Sequence, residues 1–315
     1  MNYLDLFSGT GGFHLGLKQA GIKFNKTFFS EIDKNAIKIY KKQFPTSIEL
    51  GDINNINEKE LPKIDLVTFG FPCQDISVAG SQKGLSGTRS SLFNEAIRII
   101  AWCKPKYFIF ENVKNLFSIN NGKDFEYILR TVADIGYNAQ WQLINTSWWL
   151  PQNRERIYFI GYIRETSTPK ILPIYNTSKK STKKQLSKNK NILNTLQPPG
   201  YSAGNYKGMN LITIGNIYPS GFQSGNIYSD KGLAPTLLAT GGGGKQGYYE
   251  IDNMYRRLTP IECERLQGFP DNFTTGLSDT ARYKLMGNAV SVPVVKALGL
   301  NLKHHLVNYP IQSSF

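Results

Sequence analysis

The first 21 residues combine an apolar segment, a glycine-rich turn and an amphipathic segment. The apolar segment Tyr3-Leu4-Asp5-Leu6-Phe7 predicts a buried strand. It runs directly into Ser8-Gly9-Thr10-Gly11-Gly12. Phe13, Leu17 and Ala20 then recur at helical spacing. This order predicts the first unit of an α/β fold, in which the turn lets a cofactor approach the backbone and the helix N-terminal amides.

The turn differs from the dinucleotide-binding pattern G-x-G-x-x-G. Gly9 and Gly11 match its first two glycines, but His14 stands at the third. A nicotinamide-dependent oxidoreductase is therefore disfavoured, and a smaller nucleoside cofactor is preferred.

Two further apolar segments are followed by acidic residues. Thr27 to Ser30 precedes Glu31 and Asp33, and Ile48 to Gly51 precedes Asp52. An acid after the second strand of such a fold binds ribose hydroxyls, and we assign this role to Glu31. Asp52 is a candidate for the adenine amino group. Helix capping is the competing interpretation for each of these acids.

A single cysteine follows the next predicted strand, Ile64 to Phe69, in the sequence Gly70-Phe71-Pro72-Cys73-Gln74. Ligands of open α/β sheets bind beyond the carboxyl ends of the strands, where this thiol is expected. Pro72 stiffens the loop that carries it. An isolated cysteine is also common as a small buried apolar residue, so the pentapeptide alone leaves both interpretations open. The long polar segment that continues to Arg89 predicts a lid beside the thiol.

Further charged residues flank two later strands. Tyr107 to Phe110 predicts a strand that ends at Glu111, and parallel strands would bring Glu111 near Cys73. Arg154 and Arg156 occur where another strand begins. Beside a thiol and a carboxylate they are suited to clamp a substrate, although an exposed edge strand can carry the same pattern.

The charge of the chain favours a polyanionic partner. The formal net charge is +14, and residues 166–229 contain lysines but no acidic residue. A solvated lysine-rich surface is the competing interpretation. Three scattered cysteines and three histidines predict neither a disulfide framework nor a metal site. No segment approaches the roughly 20 apolar residues of a membrane span, and a cytoplasmic protein is expected.

Six segments of the chain, in order, resemble the cytosine-5 DNA methyltransferases, a family typical of bacterial restriction-modification systems. The segments are Asp5 to Gly16, Gly70 to Ser77, Glu111 to Val113, Gln152 to Gly161, Arg257 to Asp271 and Gly287 to Val295. The resemblance implies a doubly wound, Rossmann-like α/β domain that depends on S-adenosylmethionine, with a smaller loop-rich target-recognition domain. We expect the catalytic domain in residues 1–172 and 278–315, and the target-recognition domain in residues 173–277.

The resemblance also implies roles for individual residues. Those expected to be catalytic are Cys73 as the nucleophile, Glu111 and Arg156 on the cytosine ring, and Arg154 as a support for the thiol and its loop. Those expected to bind the cofactor are Phe7, Gly9, Gly11, Gly12, Glu31, Ile32, Asp52, Ile53, Pro72, Leu92, Asn288 and Ala289. Those expected to bind DNA are Gln74, Ser77, Arg89, Gln223, Thr236, Gly241 and Gly242. Two positions depart from the family, since Ile32 replaces an aromatic residue and Ala79 replaces a serine of some members.

The implied reaction is methylation of carbon 5 of a cytosine flipped out of duplex DNA. S-adenosyl-L-homocysteine would be the product of the cofactor, and no metal is required. The family implies pairing with a restriction endonuclease, a monomer, no membrane association, and a cytoplasmic location at the nucleoid. Two alternatives are a tRNA cytosine-5 methyltransferase of the same fold and a catalytically inactive DNA-binding homologue. The long recognition region and the absence of an obvious Cys-Phe-Thr insertion disfavour the first. The intact Cys73, Glu111 and Arg156 disfavour the second.

Overall fold

The computed structural model describes residues 1–72, 91–164, 169–175, 210–218, 223–239 and 246–308. Contacts divide the chain into two compact units. Unit 1 comprises Met1–Ile144, Glu155–Ile174 and Val295–Phe315, and unit 2 comprises Asn145–Arg154 and Tyr175–Val294. These divisions differ from the predicted boundaries, because residues 145–154 and 278–294 group with unit 2. Arg154, for example, donates to the carbonyls of Gly287 and Ala289.

Unit 1 is built on a seven-stranded sheet. Its strands are β1 (Asn2–Leu6), β2 (Lys26–Ser30), β3 (Ile48–Gly51), β4 (Leu66–Phe69), β5 (Tyr107–Val113), β6 (Tyr137–Asn145) and β7 (Glu155–Ile163). Their order in the sheet is β3-β2-β1-β4-β5-β7-β6. Strands β1 to β5 run parallel, and β7 runs antiparallel to β5. Because β1 pairs with β2 on one side and β4 on the other, the winding reverses between β1 and β4. This topological switch point is where ligands bind in doubly wound folds.

Helices connect these strands. They are α1 (Gly12–Gln19), α2 (Lys34–Gln43), α3 (Ser91–Cys103) and α4 (Lys123–Asp134). The core beside β4 and β5 is rich in phenylalanine. Phe69, Phe71 and Phe110 are buried and lie with ring centroids 5.1 to 6.2 Å apart. Every residue of β4 is buried, as expected of a parallel strand covered on both faces.

The last helix, α7 (Val292–Asn308), contributes its residues from Val295 onward to unit 1. Gly299 lies against Leu17 and Ala20 of the first helical unit, and the ring of His305 contacts Tyr107 of β5. These contacts place α7 against the first helical unit and against β5.

The described part of unit 2 contains a second sheet and two helices. The strands are β8 (Thr213–Asn216), β9 (Asn226–Ser229), β10 (Tyr248–Ile251) and β11 (Met254–Arg256), in the order β11-β10-β9-β8. The helices are α5 (Pro260–Gln267) and α6 (Asp279–Asn288). Helix α5 begins with a capping box formed by Thr259 and Glu262. Cys263 is buried, and burial raises the pKa of its thiol.

Among the described residues, no single helix has the length and apolar character to cross a membrane. The bent pair Asp279–Asn288 and Val292–Val307 meets that requirement only when taken together.

Candidate active site

The glycine turn after β1 is the first part of the site in unit 1. Phe7, Gly9 and Gly11 have φ angles of 49°, 53° and 82°. At Gly9 an added Cβ would meet nothing within 4 Å, whereas at Gly11 it would lie 2.5 Å from the Phe44 ring. The turn is therefore open at Gly9 and packed against the protein at Gly11.

Glu31 organises this turn from the end of β2. Its Oε2 accepts a hydrogen bond from the Gly9 amide at 2.8 Å. Its Oε1 accepts from the amides of Ile32 and Asp33 at 2.8 and 2.9 Å. Since a carboxylate offers about four lone-pair positions, these bonds leave room for about one hydroxyl donor. Glu31 is thus a loop anchor as well as a candidate ribose ligand.

The other two acids are helix caps in the structure. Asp33 accepts from the amides of Asn35 and Ala36 at the start of α2, and Asp52 accepts from the Asn54 amide. Capping, the competing interpretation of the sequence, therefore describes Asp33 and Asp52 but not Glu31.

A buried polar network lies on β1 beneath the turn. Asp5 is 0% exposed, and its carboxylate accepts from Thr68 Oγ1 at 2.7 Å and from the Tyr40 hydroxyl at 3.3 Å. Tyr3 reaches Thr68 at 2.5 Å, and His14 Nδ1 lies 3.1 Å from the Tyr40 hydroxyl. Burial raises the pKa of Asp5 to about 8 and lowers the pKa of His14 to about 3.

The sequence patterns do not mark Asp5 as a site residue. The available signal was an acid between apolar residues of a strand predicted to be buried. His14, which excluded the dinucleotide pattern, belongs to the same network and stacks on Phe44 with ring centroids 3.8 Å apart.

The residues around the turn fit S-adenosylmethionine, whose adenosine carries ribose hydroxyls and an apolar face. Gly9 faces open space, and Glu31 retains acceptor capacity. The side-chain oxygens of Ser8 and Thr10 are buried in the turn and have no hydrogen-bond partner among the described residues. Ile32 is 72% exposed and offers an apolar surface beside Glu31. This set of groups suits a nucleoside better than a phosphate-rich ligand.

Glu111 and Arg156 form the second part of the site. Arg156 Nε lies 3.0 Å from Glu111 Oε1, and both side chains are largely buried. Arg156 Nη1 also donates to the Glu155 carbonyl at 2.8 Å. A Cβ at Gly70 would lie 3.8 Å from Glu111 Oε2, so Glu111 lies beside the start of the segment that follows β4. The predicted proximity of Glu111 to Cys73 stays a prediction, because Cys73 lies outside the described residues.

Asn112 fixes the chain that leads to the cysteine. It is 2% exposed, and its Nδ2 donates to the Phe71 carbonyl at 3.3 Å. Its Oδ1 accepts from the Val113 amide. We did not assign this asparagine a role from the sequence, although it lies within the segment Glu111 to Val113. It holds the backbone two residues before Cys73.

The structure also describes Gly12, Ile53, Pro72 and Leu92, which are further predicted site residues of unit 1. Gly12 begins α1, and Ile53 is buried directly after β3. Pro72 is exposed after β4, and Leu92 in the first turn of α3 packs against the hydrophobic core.

Several predicted residues lie outside the described residues or in unit 2. Cys73, Gln74, Ser77, Ala79, Arg89, Gly241 and Gly242 lie outside the described residues, and the side chain of Gln223 does as well. Arg154, Thr236, Asn288 and Ala289 belong to unit 2. The two arginines of the predicted pair thus differ, since Arg156 is in β7 whereas Arg154 precedes that strand.

No cluster of three or more potential metal ligands occurs among the residues that the structure describes. The described part of the site has two components. One is the glycine turn anchored by Glu31, and the other is the Glu111 carboxylate paired with the Arg156 guanidinium. These groups are suited to bind a nucleoside cofactor and a polar heterocycle.

Comparison with known proteins identifies the family. The family model of C-5 cytosine-specific DNA methylases matches residues 1–304. The Type II methyltransferase M.HhaI of Haemophilus parahaemolyticus is 34% identical over 317 residues, covering 96% of this chain and 94% of that protein. The Type II methyltransferase M1.ScrFI of Lactococcus lactis subsp. cremoris is 38% identical over 313 residues, covering 94% of this chain and 76% of that protein.

Solved structures share the fold. The Dnmt2 methyltransferase of S. pombe superposes with a TM-score of 0.74 at 19% identity, covering 96% of this chain and 99% of that one. The Entamoeba histolytica methyltransferase EhMeth superposes with a TM-score of 0.71 at 21% identity, covering 97% of this chain and 98% of that one. Together with the family match, they confirm the predicted fold class and family. The chain belongs to the C-5 cytosine-specific DNA methylases and is a DNA cytosine-5 methyltransferase that uses S-adenosylmethionine.

Proposed function

We propose that the protein methylates one cytosine within a specific sequence of double-stranded DNA, through a covalent bond between Cys73 and the base. The observation that carries this proposal is the buried pair of Glu111 and Arg156 beside the backbone that leads to Cys73. A carboxyl and a guanidinium at this place are suited to bind one edge of a cytosine ring.

Carbon 5 of cytosine is a weak nucleophile, so the reaction requires activation of the ring. Addition of the Cys73 thiolate to carbon 6 makes the ring an enamine and directs electron density to carbon 5. Glu111 binds ring nitrogen 3 and the exocyclic amine, which favours protonation of the ring as charge develops. Arg156 binds the carbonyl oxygen at carbon 2 through its guanidinium N–H groups. Its contact with Glu111 holds both groups in one orientation.

When bound, S-adenosylmethionine supplies an electrophilic methyl group and leaves as S-adenosyl-L-homocysteine. Within the chain, Phe7, Gly9 and Ile32 provide space and apolar surface for the adenosine, and Glu31 accepts from the ribose. After carbon 5 has been methylated, a base removes its proton. The electron pair restores the double bond as the bond between carbon 6 and Cys73 breaks, and the thiolate is regenerated.

Unit 2 is assigned to DNA recognition in this proposal. Thr236, Gln223 and the glycines at 241 and 242 occupy the family's recognition region, and the lysines of residues 166–229 supply phosphate contacts. The target must leave the duplex to reach Cys73. The proposal includes a monomeric enzyme, located with DNA in the cytoplasm, that protects its host from a cognate restriction endonuclease.

The test uses purified protein, tritiated S-adenosylmethionine and unmethylated duplex DNA. We expect the label in 5-methylcytosine, always within one short sequence context when the product is mapped by bisulfite sequencing. Label in tRNA with inert DNA, or label in another base, would contradict the proposal. Digestion of the methylated DNA with a panel of restriction endonucleases then tests protection at that sequence.

A further inference from the structure

Two aromatic rings at the end of α2 support one side of the glycine turn in unit 1. Tyr40 and Phe44 are four residues apart, and both rings are buried. A Cβ added at Gly11 would lie 2.5 Å from Phe44 Cε2 and 3.0 Å from Tyr40 Cε2. The backbone of the turn at Gly11 therefore packs directly on these two rings, whereas Gly9 faces open space.

The Tyr40 side chain is held both at its ring and at its hydroxyl. The ring stacks on Phe29 of β2, with centroids 4.1 Å apart. The hydroxyl donates to Asp5 Oδ2 at 3.3 Å and lies 3.1 Å from His14 Nδ1. A buried ring that is stacked on its face and bonded at its tip has little freedom to rotate or slide.

Asp5, which accepts from Tyr40, is fixed by the sheet itself. Asp5 of β1 and Thr68 of β4 are direct partners in the parallel register. Thr68 Oγ1 donates to Asp5 Oδ1 at 2.7 Å, and the Tyr3 hydroxyl lies 2.5 Å from Thr68 Oγ1. The Tyr40 hydroxyl is thus tied to β1 and β4, the two strands between which the winding of the sheet reverses.

The glycine turn is therefore held at two points. Glu31 Oε2 accepts from the Gly9 amide at 2.8 Å, and the rings of α2 support Gly11. The Gly11 amide also donates to the Ser8 carbonyl at 2.9 Å, so a shift of Gly11 is passed to the start of the turn. A displacement of the Tyr40 ring would consequently change the shape of the backbone at Gly9.

We propose that Tyr40 is a positioning residue for the cofactor, because its hydrogen bond to Asp5 holds the ring against Gly11 and keeps the turn in the shape that receives the adenosine. The inference rests on the proposed binding of S-adenosylmethionine at this turn. The resemblance to the family implied roles for Phe7, Gly9 and Glu31, but none for Tyr40.

Tyr40→Phe removes the hydroxyl and keeps the ring. Without its hydrogen bond the ring is free to shift, and the turn has to be ordered when the cofactor binds. Loss of one such bond should raise the Kd for S-adenosylmethionine about fivefold, measured by isothermal titration calorimetry on the full chain without DNA. We expect kcat at saturating cofactor to stay within about twofold, since the reacting groups are unchanged.

Tyr3→Phe is the matched control. It removes a hydroxyl from the same buried network, but the ring of Tyr3 stacks on Phe24, with centroids 4.5 Å apart. In urea denaturation both variants should lose stability to a similar extent, whereas the Kd should stay within about twofold of the wild-type value in Tyr3→Phe. Equal changes in Kd for the two variants would show that the network only stabilises the fold, and would overturn the inference.

Amide hydrogen exchange gives a second readout that does not depend on the cofactor. In the cofactor-free protein, a peptide that contains Gly9 and Gly11 should exchange faster in Tyr40→Phe than in the wild type, as measured by mass spectrometry. The same peptide should exchange at the wild-type rate in Tyr3→Phe. Unchanged exchange in Tyr40→Phe would overturn the inference whatever the Kd.

Gly9→Ala separates this inference from the proposed function. If Gly9→Ala, folded by circular dichroism, leaves the Kd for S-adenosylmethionine unchanged, the turn does not receive the cofactor and both proposals fail. If Gly9→Ala raises this Kd and Tyr40→Phe does not, only the present inference fails. The expected result is a raised Kd in both of these variants and a normal Kd in Tyr3→Phe.

Discussion

Arg156 Nε lies 3.0 Å from Glu111 Oε1 across the antiparallel pair of β5 and β7. Arg156 is opposite Val113 in this pair, and Glu111 is two residues before Val113 on the same strand. Diagonal neighbours of this kind share one face of a sheet, so the sheet itself places the carboxyl beside the guanidinium.

Glu111→Gln tests the carboxyl of this pair. Glutamine keeps the shape of the side chain but cannot exchange a proton with the ring. We expect kcat to fall by about 100-fold or more, with the Kd for S-adenosylmethionine within about twofold. Glu155→Gln is the matched control, because Glu155 pairs with Lys114 at the surface and should leave kcat unchanged. Equal effects of the two variants would contradict the role of Glu111.

Glu31→Gln tests the anchor of the glycine turn. The side-chain amide of the introduced glutamine cannot accept hydrogen bonds from all three backbone N–H groups. It also offers the ribose no charged acceptor. We expect KM for S-adenosylmethionine to rise roughly 10-fold, with a smaller change in kcat. Asp33→Asn should weaken only the cap of α2, at a stability cost of about 1 kcal/mol or less. A normal KM in Glu31→Gln, measured at saturating DNA, would exclude the proposed contact.

Gly9→Ala and Gly11→Ala test the two sides of the turn. Both positions have left-handed φ angles, which cost a residue with a Cβ about 1–2 kcal/mol. At Gly11 the new Cβ also collides with Phe44 and Tyr40, which adds roughly 1–3 kcal/mol. Urea denaturation should therefore show the larger loss for Gly11→Ala. Gly9→Ala should instead show the larger rise in KM for S-adenosylmethionine relative to its loss of stability. The reason is that the added Cβ at Gly9 projects into the open space beside the turn. A larger loss of stability for Gly9→Ala, or a larger relative rise in this KM for Gly11→Ala, would contradict this geometry.

Asp5→Asn tests the buried acid below the turn. Burial raises the folded-state pKa of Asp5 from 3.8 to about 8, so the folded protein binds a proton that the unfolded chain has released between these values. Protonated Asp5 therefore stabilises the folded protein. This stabilisation is complete below about pH 4 and is lost as pH rises towards 8. Between pH 5 and 7 we expect the unfolding free energy of the wild type to fall, relative to Asp5→Asn, by roughly 1 kcal/mol per pH unit. Parallel pH profiles of the two proteins would show that Asp5 is ionised throughout. Burial lowers the folded-state pKa of His14 to about 3, so in this window His14 titrates only in the unfolded chain. Its contribution is the same in both proteins and cancels in the comparison.

Local sequence patterns predicted the parts of the fold that depend on local physics. The strand, turn and helix from Tyr3 to Gly21 form as expected, and the helix after Thr259 begins with a local capping box. Apolar periodicity and helix capping depend on residues a few positions apart, so a single sequence is enough to recognise them.

Long-range contacts were not predictable in the same way. Asp33 and Asp52 are caps whereas Glu31 anchors a loop 22 residues earlier, and the three acids look alike in sequence. Arg154 and Arg156 are two residues apart, yet one binds carbonyls of Gly287 and Ala289 and the other binds Glu111. Which partner each of these side chains contacts depends on residues that are distant in sequence and come together only in the folded chain.

Covalent trapping at Cys73 tests the central claim most directly. Duplex DNA with 5-fluorocytosine in the recognition sequence is incubated with the protein and S-adenosylmethionine, and the adduct is mapped by peptide mass spectrometry. Fluorine at carbon 5 cannot leave as a proton does, so the bond between the sulfur and carbon 6 should persist. We predict a stable adduct at Cys73, with no adduct in Cys73→Ala. An adduct at another residue, or methylated product without any covalent species, would contradict the account.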